Sequence, residues 1–396
     1  QFADHDYKEF RAKSQKEVNY MVKEFECRKS ADAYARAGES KTGILDTKKL
    51  HTYKYNEDLF KKITVLPDGK NHGMIFVLDW SGSMSYELLP TVKQLLNLTA
   101  FCKKVQIPFE VYAFTNHWAH ATYDDDGKFI SGPELKYELK EDIFKIDKDF
   151  NLLNMLSSRI KSSDFEKCMM NVWRIATYYQ RSGVSYHNPT QTSLSGTPLN
   201  EAIISLHQII PQFQKTNKLQ KVQCVILTDG EAHQLNRHVE VNYRYNSESY
   251  IGTRSVNPET TFLRDRKIGT TYSFGYSYHE FTQVLLNNLR DRFPNVNFIG
   301  IRVLGPREAG KFMQMYLYGD KFDEAEKSWK KTRSFSMKEV GYNTYFGLSA
   351  NALSQETEFS VNTDATKAQI KSAFTKSLRS KKMNKKILSE FISLVA

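Results

Sequence analysis

The amino-acid sequence predicts an α/β protein: a doubly wound, mostly parallel sheet with helices on both faces. Three observations carry that expectation. Short apolar runs at 74–78, 111–114, 222–227 and 296–303 are continuous rather than alternating, as in strands buried on both faces. Stretches with helical spacing separate them, which is the pattern of βαβ units. The first run ends on a single aspartate, Asp79, and then on hydroxyls, at the strand end where open α/β sheets keep ligand sites.

The 396 residues are enough for one large domain with insertions, and a 40% apolar content can build its core. No run reaches the ~18 apolar residues of a membrane span, so no membrane role is expected. No signal-peptide pattern opens the chain, and Gln1 in place of Met leaves room for an upstream piece. Cys27, Cys102, Cys168 and Cys224 are far apart, which is neither a zinc pattern nor a disulfide framework. That usage predicts a reducing, cytoplasmic setting. The net charge of +11 is partly local, with eight Lys and Arg between Lys367 and Lys386. A solvated basic helix face accounts for it; an acidic partner or nucleic acid is the other reading.

Taken in order, residues 5–37 read as one long helix, with Val18, Met21, Val22 and Phe25 at helical spacing. A short helix is expected within 40–50, capped by Asp46, and Pro67-Asp68-Gly69 signals a turn. These residues, 1–69, make an N-terminal helical segment. Residues 70–350 form the α/β domain. Its first strand, 74–79, runs into a glycine turn and a helix carrying Leu88, Val92, Leu95, Leu96 and Phe101, with Pro90 early enough to be tolerated. The second strand spans 107–114 and ends Ala-Phe-Thr-Asn. An insertion at 119–190 opens on the acidic turn 124–127 and is expected to hold two helices, near 152–160 and 165–179. A helix follows at 197, with Thr197 as its N-cap and Pro198 as its first residue. The third strand, 222–228, leads directly to Asp229-Gly230-Glu231. A second insertion, 232–275, carries a hairpin at 261–274. A helix at 281–292 precedes the fourth strand, and 342–348 reads as a fifth. Residues 351–396 form a basic, helical C-terminal segment.

The chemistry sits in three loops. Asp79, Ser81 and Ser83 offer one carboxylate and two hydroxyls, hard oxygen donors that suit Mg²⁺ or Mn²⁺ and leave the ion short of negative charge. Thr197 and Asp229 add a hydroxyl and a carboxylate. Each has an ordinary explanation as well: a serine-rich cap, a helix cap, a common Asp-Gly turn.

Together, Asp79-Trp80-Ser81-Gly82-Ser83, Thr197 within Gly-Thr-Pro-Leu and Asp229 within Leu-Thr-Asp-Gly-Glu resemble the three motifs of the von Willebrand factor A domain with its metal-ion-dependent adhesion site. The resemblance covers roughly residues 70–350. It implies that Ser81, Ser83 and Thr197 touch the ion, that Asp79 and Asp229 act through water, and that a partner carboxylate completes the site. Trp80 and Glu231 are candidates for the partner-binding rim; ring packing and a helix-start acid are their plainer roles. Thr42-Gly-Ile-Leu-Asp-Thr-Lys-Lys-Leu50, with Leu59-Phe60 beyond, resembles the segment before this domain in the small cobalt-chelatase subunit family. That likeness implies a ring-forming AAA+ ATPase of the chelatase/MoxR type as partner. The chain departs from that family in lacking a long acidic tract and in its Tyr-rich second insertion, and its composition would suit a phage protein.

An enzymatic reading is weaker. A strand-ending aspartate is also how haloacid-dehalogenase-type phosphatases present a nucleophile, yet the second acid they need falls here on Ser81. No G-x-x-x-x-G-K-[ST] phosphate loop is present. The expectation is a non-enzymatic, Mg-dependent binding module, with the basic tail on nucleic acid as the alternative.

Overall fold

The computed structural model describes residues 2–35, 38–45, 60–65, 71–116, 122–123, 126, 129–131, 137–182, 192–229, 232–242, 249–305 and 307–349. In chain order these form α1 (Phe2–Ala35), β1 (Gly38–Leu45), β2 (Phe60–Val65), β3 (His72–Asp79), α2 (Leu88–Lys104), β4 (Phe109–Thr115), β5 (Thr122–Tyr123), β6 (Phe129–Ser131), β7 (Asn151–Ser157) and α3 (Ser162–Ser182). They continue with α4 (Leu199–Asn217), β8 (Lys221–Thr228), β9 (Asn236–Asn242), β10 (Ser249–Ser255), β11 (Phe262–Asp265), β12 (Thr270–Ser273) and α5 (Tyr278–Arg292). Last come β13 (Val296–Leu304), α6 (Ala309–Tyr316), α7 (Asp320–Thr332), β14 (Ser334–Val340) and β15 (Tyr342–Ser349).

One seven-stranded sheet organises the chain, in the order β14-β15-β13-β8-β3-β4-β7. β3 is central and pairs in parallel with β4 and β8; β8 pairs in parallel with β13, and β13 with β15. The two edges, β7 and β14, are antiparallel. Numbered by order of appearance and read from the β7 edge, the strands run 3-2-1-4-5-7-6. The first five places follow the doubly wound order, whose switch point lies between the first and fourth strands. Here that crevice falls between β3 and β8.

β3 explains why both faces must be covered. Met74, Phe76, Leu78 and Trp80 pack into one core with α1, α2 and α3, while Ile75 and Val77 pack into the other with α4 and α5. A strand with no polar face stays in water only at large cost, at ~25 cal/mol for each Å² of apolar surface. α1 contributes Tyr7, Phe10, Val18, Met21 and Phe25 as one helical stripe, stacking Phe10 on Trp173 at 4.8 Å and setting Phe25 edge-on to Phe101. The salt bridges Arg11–Glu166 and Arg174–Asp4 fasten α1 to α3 at its polar margin.

Two expectations are corrected and a third is extended. Within 40–50 the described part is strand β1, paired antiparallel with β2, not a helix. Gly38 and Gly43 weaken a helix there, and β-branched Ile63, Thr64 and Val65 favour the pairing. The stretch near 152–160 is β7, the edge strand beside β4, so the first insertion returns to the main sheet before α3. An apolar run this short fits either period, and its neighbour decided it. The second insertion holds the expected hairpin, β11–β12, and also the hairpin β9–β10. Asp46, Pro67 to Gly69, most of the acidic turn and residues 351–396 lie outside the described residues. No helix among the described residues is long and apolar enough to cross a membrane.

Candidate metal centre

Asp79 ends β3 and is fully buried, with 0% of its surface exposed. Its Oδ2 accepts a 2.6 Å hydrogen bond from Thr228 Oγ1, at the end of the neighbouring strand β8. Its Oδ1 has no hydrogen-bond partner among the described residues. Burial is the main force on this carboxyl and pushes its pKa up to about 7; the charge of Asp229 adds to the rise, while Thr228 and Ser81 oppose it. A buried carboxylate oxygen left unpartnered is expensive, so the site is electrostatically unfinished as a set of protein groups.

The hydroxyls lie beside it. Ser81 Oγ is 3.0 Å from Ser83 Oγ, and Ser83 Oγ donates to Asp229 Oδ1 at 2.9 Å. Ser83 is brought there by a 3₁₀ turn, Ser83–Tyr86, that follows at once on Gly82. Burial also raises the Asp229 pKa; Ser83 and then the charge of Arg302 hold it down, and the charge of Glu308 adds to the rise. Glu87, half-buried just before α2, is raised by burial and then by the charge of Asp229. The switch-point crevice therefore gathers more negative charge than the motifs alone display.

The Thr197 loop is stitched to the first. Ser81 forms a parallel bridge with Ser195, and Gly82 N–H donates to Ser195 O at 2.7 Å. This places the loop two residues before Thr197 directly against the serines. The expected cap is corrected: α4 starts at Leu199 with Pro198 at the capping position, and no side chain caps it. Leu199 N–H instead donates to the backbone oxygen of Thr197 at 2.8 Å. The Thr197 hydroxyl makes no hydrogen bond among the described residues, so helix capping no longer accounts for it.

The donor set fits a hard divalent cation. Hydroxyl and carboxylate oxygens converge next to a buried carboxylate oxygen that lacks a partner, and such oxygens suit Mg²⁺ or Mn²⁺. Among the described residues no three His, Cys, Asp or Glu side chains gather as a metal cluster. Ser81, Ser83, Thr197, Asp79 and Asp229 are the residues that could hold an ion, directly or through water.

Trp80 is corrected as a rim residue. Its ring is 0% exposed within the core under α2 and α3, and Nε1 donates to Thr192 O at 2.6 Å. Alternation explains it: Asp79 and Trp80 point to opposite sheet faces. Glu231 lies outside the described residues. Sequence reasoning missed Thr228 and Glu87, although both stand within or beside the motifs. It also missed Arg302 of β13, whose charge acts on Asp229.

No family model matches the chain, and no curated protein matches it. Among solved structures it is similar to the pilus adhesin SpaC of Lactobacillus rhamnosus GG in its open conformation, at 11% identity and a TM-score of 0.37, over 83% of this chain and 31% of that one. It is similar to proximal thread matrix protein 1 of the mussel byssus at 11% identity and a TM-score of 0.26, over 59% of this chain and 37% of that one. Its likeness to the vWF domain of the type V pili tip protein Mfa5 of Porphyromonas gingivalis has 8% identity and a TM-score of 0.31, over 72% of this chain and 92% of that domain. The chain thus spans about a third of the first two proteins. These likenesses are too distant to carry functional weight, and the fold class rests on the strand order itself.

Proposed function

We propose that the chain is a non-enzymatic protein-binding module of the von Willebrand factor A type, which uses Mg²⁺ or Mn²⁺ to accept a carboxylate from a partner protein. The observation that carries the reading is the contact chain Ser81–Ser83–Asp229, set beside the unpartnered oxygen of Asp79. Ser81, Ser83 and Thr197 would give neutral oxygens, and Asp79 and Asp229 would bring formal charge through water. When bound, the ion supplies an electrophilic position for an incoming Glu or Asp. The protein's part is to hold the hydroxyls in place and to keep Asp79 buried, so that its charge acts at full strength.

A ring-forming AAA+ ATPase of the chelatase/MoxR type, in the cytoplasm, is the partner class we propose from the resemblance of the 42–60 segment. A role in a chelatase-like or protein-remodelling complex, phage-encoded or cellular, would follow. Two titrations test the core of the reading. Mg²⁺ binding is measured by calorimetry on the wild type and on Ser81→Ala/Ser83→Ala, and capture of the AAA+ protein is measured with Mg²⁺ and with EDTA. Loss of Mg²⁺ affinity and of capture together is the expected result. Serine substitutions that leave Mg²⁺ affinity unchanged would sink it.

A further inference from the structure

We infer that Asn116 is the positioning residue of this centre: it fixes the backbone at Gly196 and so sets where Thr197 stands beside the serine loop. The inference rests on the metal reading above and adds a residue that none of the three motifs contains.

Asn116 follows the last residue of β4, beside the end of β3. Its Oδ1 accepts the Gly196 N–H at 2.6 Å, and its Nδ2 donates to Asp147 Oδ2 at 3.1 Å. One side chain thus accepts through its oxygen and donates through its nitrogen, the two-atom pairing that a side-chain amide supplies. The partners also set its orientation, since a backbone N–H must meet oxygen and a carboxylate must meet N–H. Asp147 is itself held, because its Oδ1 accepts the Asp149 N–H at 3.0 Å.

Gly196 is built for this contact. A Cβ there would meet Asn116 Oδ1 at 2.7 Å and Nδ2 at 2.9 Å, closer than real contacts allow. Ser195 Oγ donates to the backbone oxygen of Asn116 at 3.4 Å, and Gly82 N–H donates to Ser195 O from the opposite side. The residues before Thr197 are therefore clamped between β4 and the serine loop. Thr197 makes no side-chain hydrogen bond of its own among the described residues, so these backbone anchors are what place it beside the serine loop. Loss of a group that orients a metal ligand from behind typically costs about 10–100-fold in metal affinity.

The test is a pair of mutant cycles on the full chain. The readouts are Mn²⁺ affinity, from the electron paramagnetic resonance signal of unbound Mn²⁺, and the melting temperature in EDTA. Asn116→Ala is expected to weaken Mn²⁺ binding by about tenfold. Thr197→Ala is expected to weaken it too, and Asn116→Ala should then add nothing in the Thr197→Ala background. Gly196→Ala approaches the same contact from the other side. It should weaken Mn²⁺ alone, yet be harmless once Asn116→Ala has made room for its Cβ. If Asn116→Ala keeps wild-type affinity while Thr197→Ala loses it, the inference fails and the metal reading stands. If Asn116→Ala weakens Mn²⁺ equally with or without the Thr197 hydroxyl, its role is general folding and the inference fails. A Thr197→Ala variant with wild-type affinity overturns the metal role of Thr197 and the inference with it.

Discussion

Thr228 Oγ1 donates to Asp79 Oδ2 at 2.6 Å, tying the C-terminal ends of the two strands that flank the switch point. It is the one described hydrogen bond to the buried carboxylate from another strand. Thr228→Val keeps the shape and removes the donor, leaving Asp79 more poorly satisfied. The expected cost is about 1–3 kcal/mol of stability. Urea unfolding in EDTA reads it directly, and an unchanged midpoint would contradict the account of Asp79.

Glu87 gives a prediction of opposite sign. Its pKa is raised by burial and then by Asp229, so its charge is a liability when no cation is present. Glu87→Gln should raise the melting temperature in EDTA at pH 7. A decrease would mean that its charge is useful at the start of α2.

Trp80 should behave as a core residue. Trp80→Phe keeps a buried ring but loses the bond to Thr192 O, which predicts a loss of about 1 kcal/mol in urea unfolding. Partner capture, scaled to the folded fraction, should be unaffected. A specific loss of capture would return Trp80 to the rim.

His207 sets the acid limit. It is held at a pKa of about 4 by burial first and then by the charge of Arg292, with Asp265 and Asn288 opposing and Lys267 assisting. The unfolded value is about 6.5. The folded state therefore prefers the neutral ring, so stability is full above about pH 6.5 and declines as pH falls toward 4. His207→Gln should flatten that decline. Urea midpoints at pH 7.5 and 4.5 check it, and equal acid losses in both proteins would count against it.

The central strands were legible because their apolar runs are unbroken, and β3, β4, β8, β13 and β15 all lie where the pattern puts them. Of the candidate residues named from the motifs, the structure brings Ser81, Ser83 and Asp229 into contact. What was hidden depends on neighbours. β7 reads as a helix until β4 offers it a sheet edge. Trp80 sits between ligand positions in sequence, but a one-residue step in a strand turns it to the other face. Asn116 is a single polar residue after a strand, and only the approach of Gly196 from 80 residues away gives it a role.

The crevice also bears on how fast the molecule can be made and unmade. Ser83 and Asp229 are 146 residues apart in the chain, and β3 meets β8 only after that loop has closed. Pairings of such long range are completed late and slow the search. The oxygens therefore converge only once the sheet is assembled, and a cation has nothing to grip before that. On the proposed metal reading, an ion captured there would act as a lock on the finished state, lengthening its lifetime against unfolding while leaving the rate of assembly unchanged.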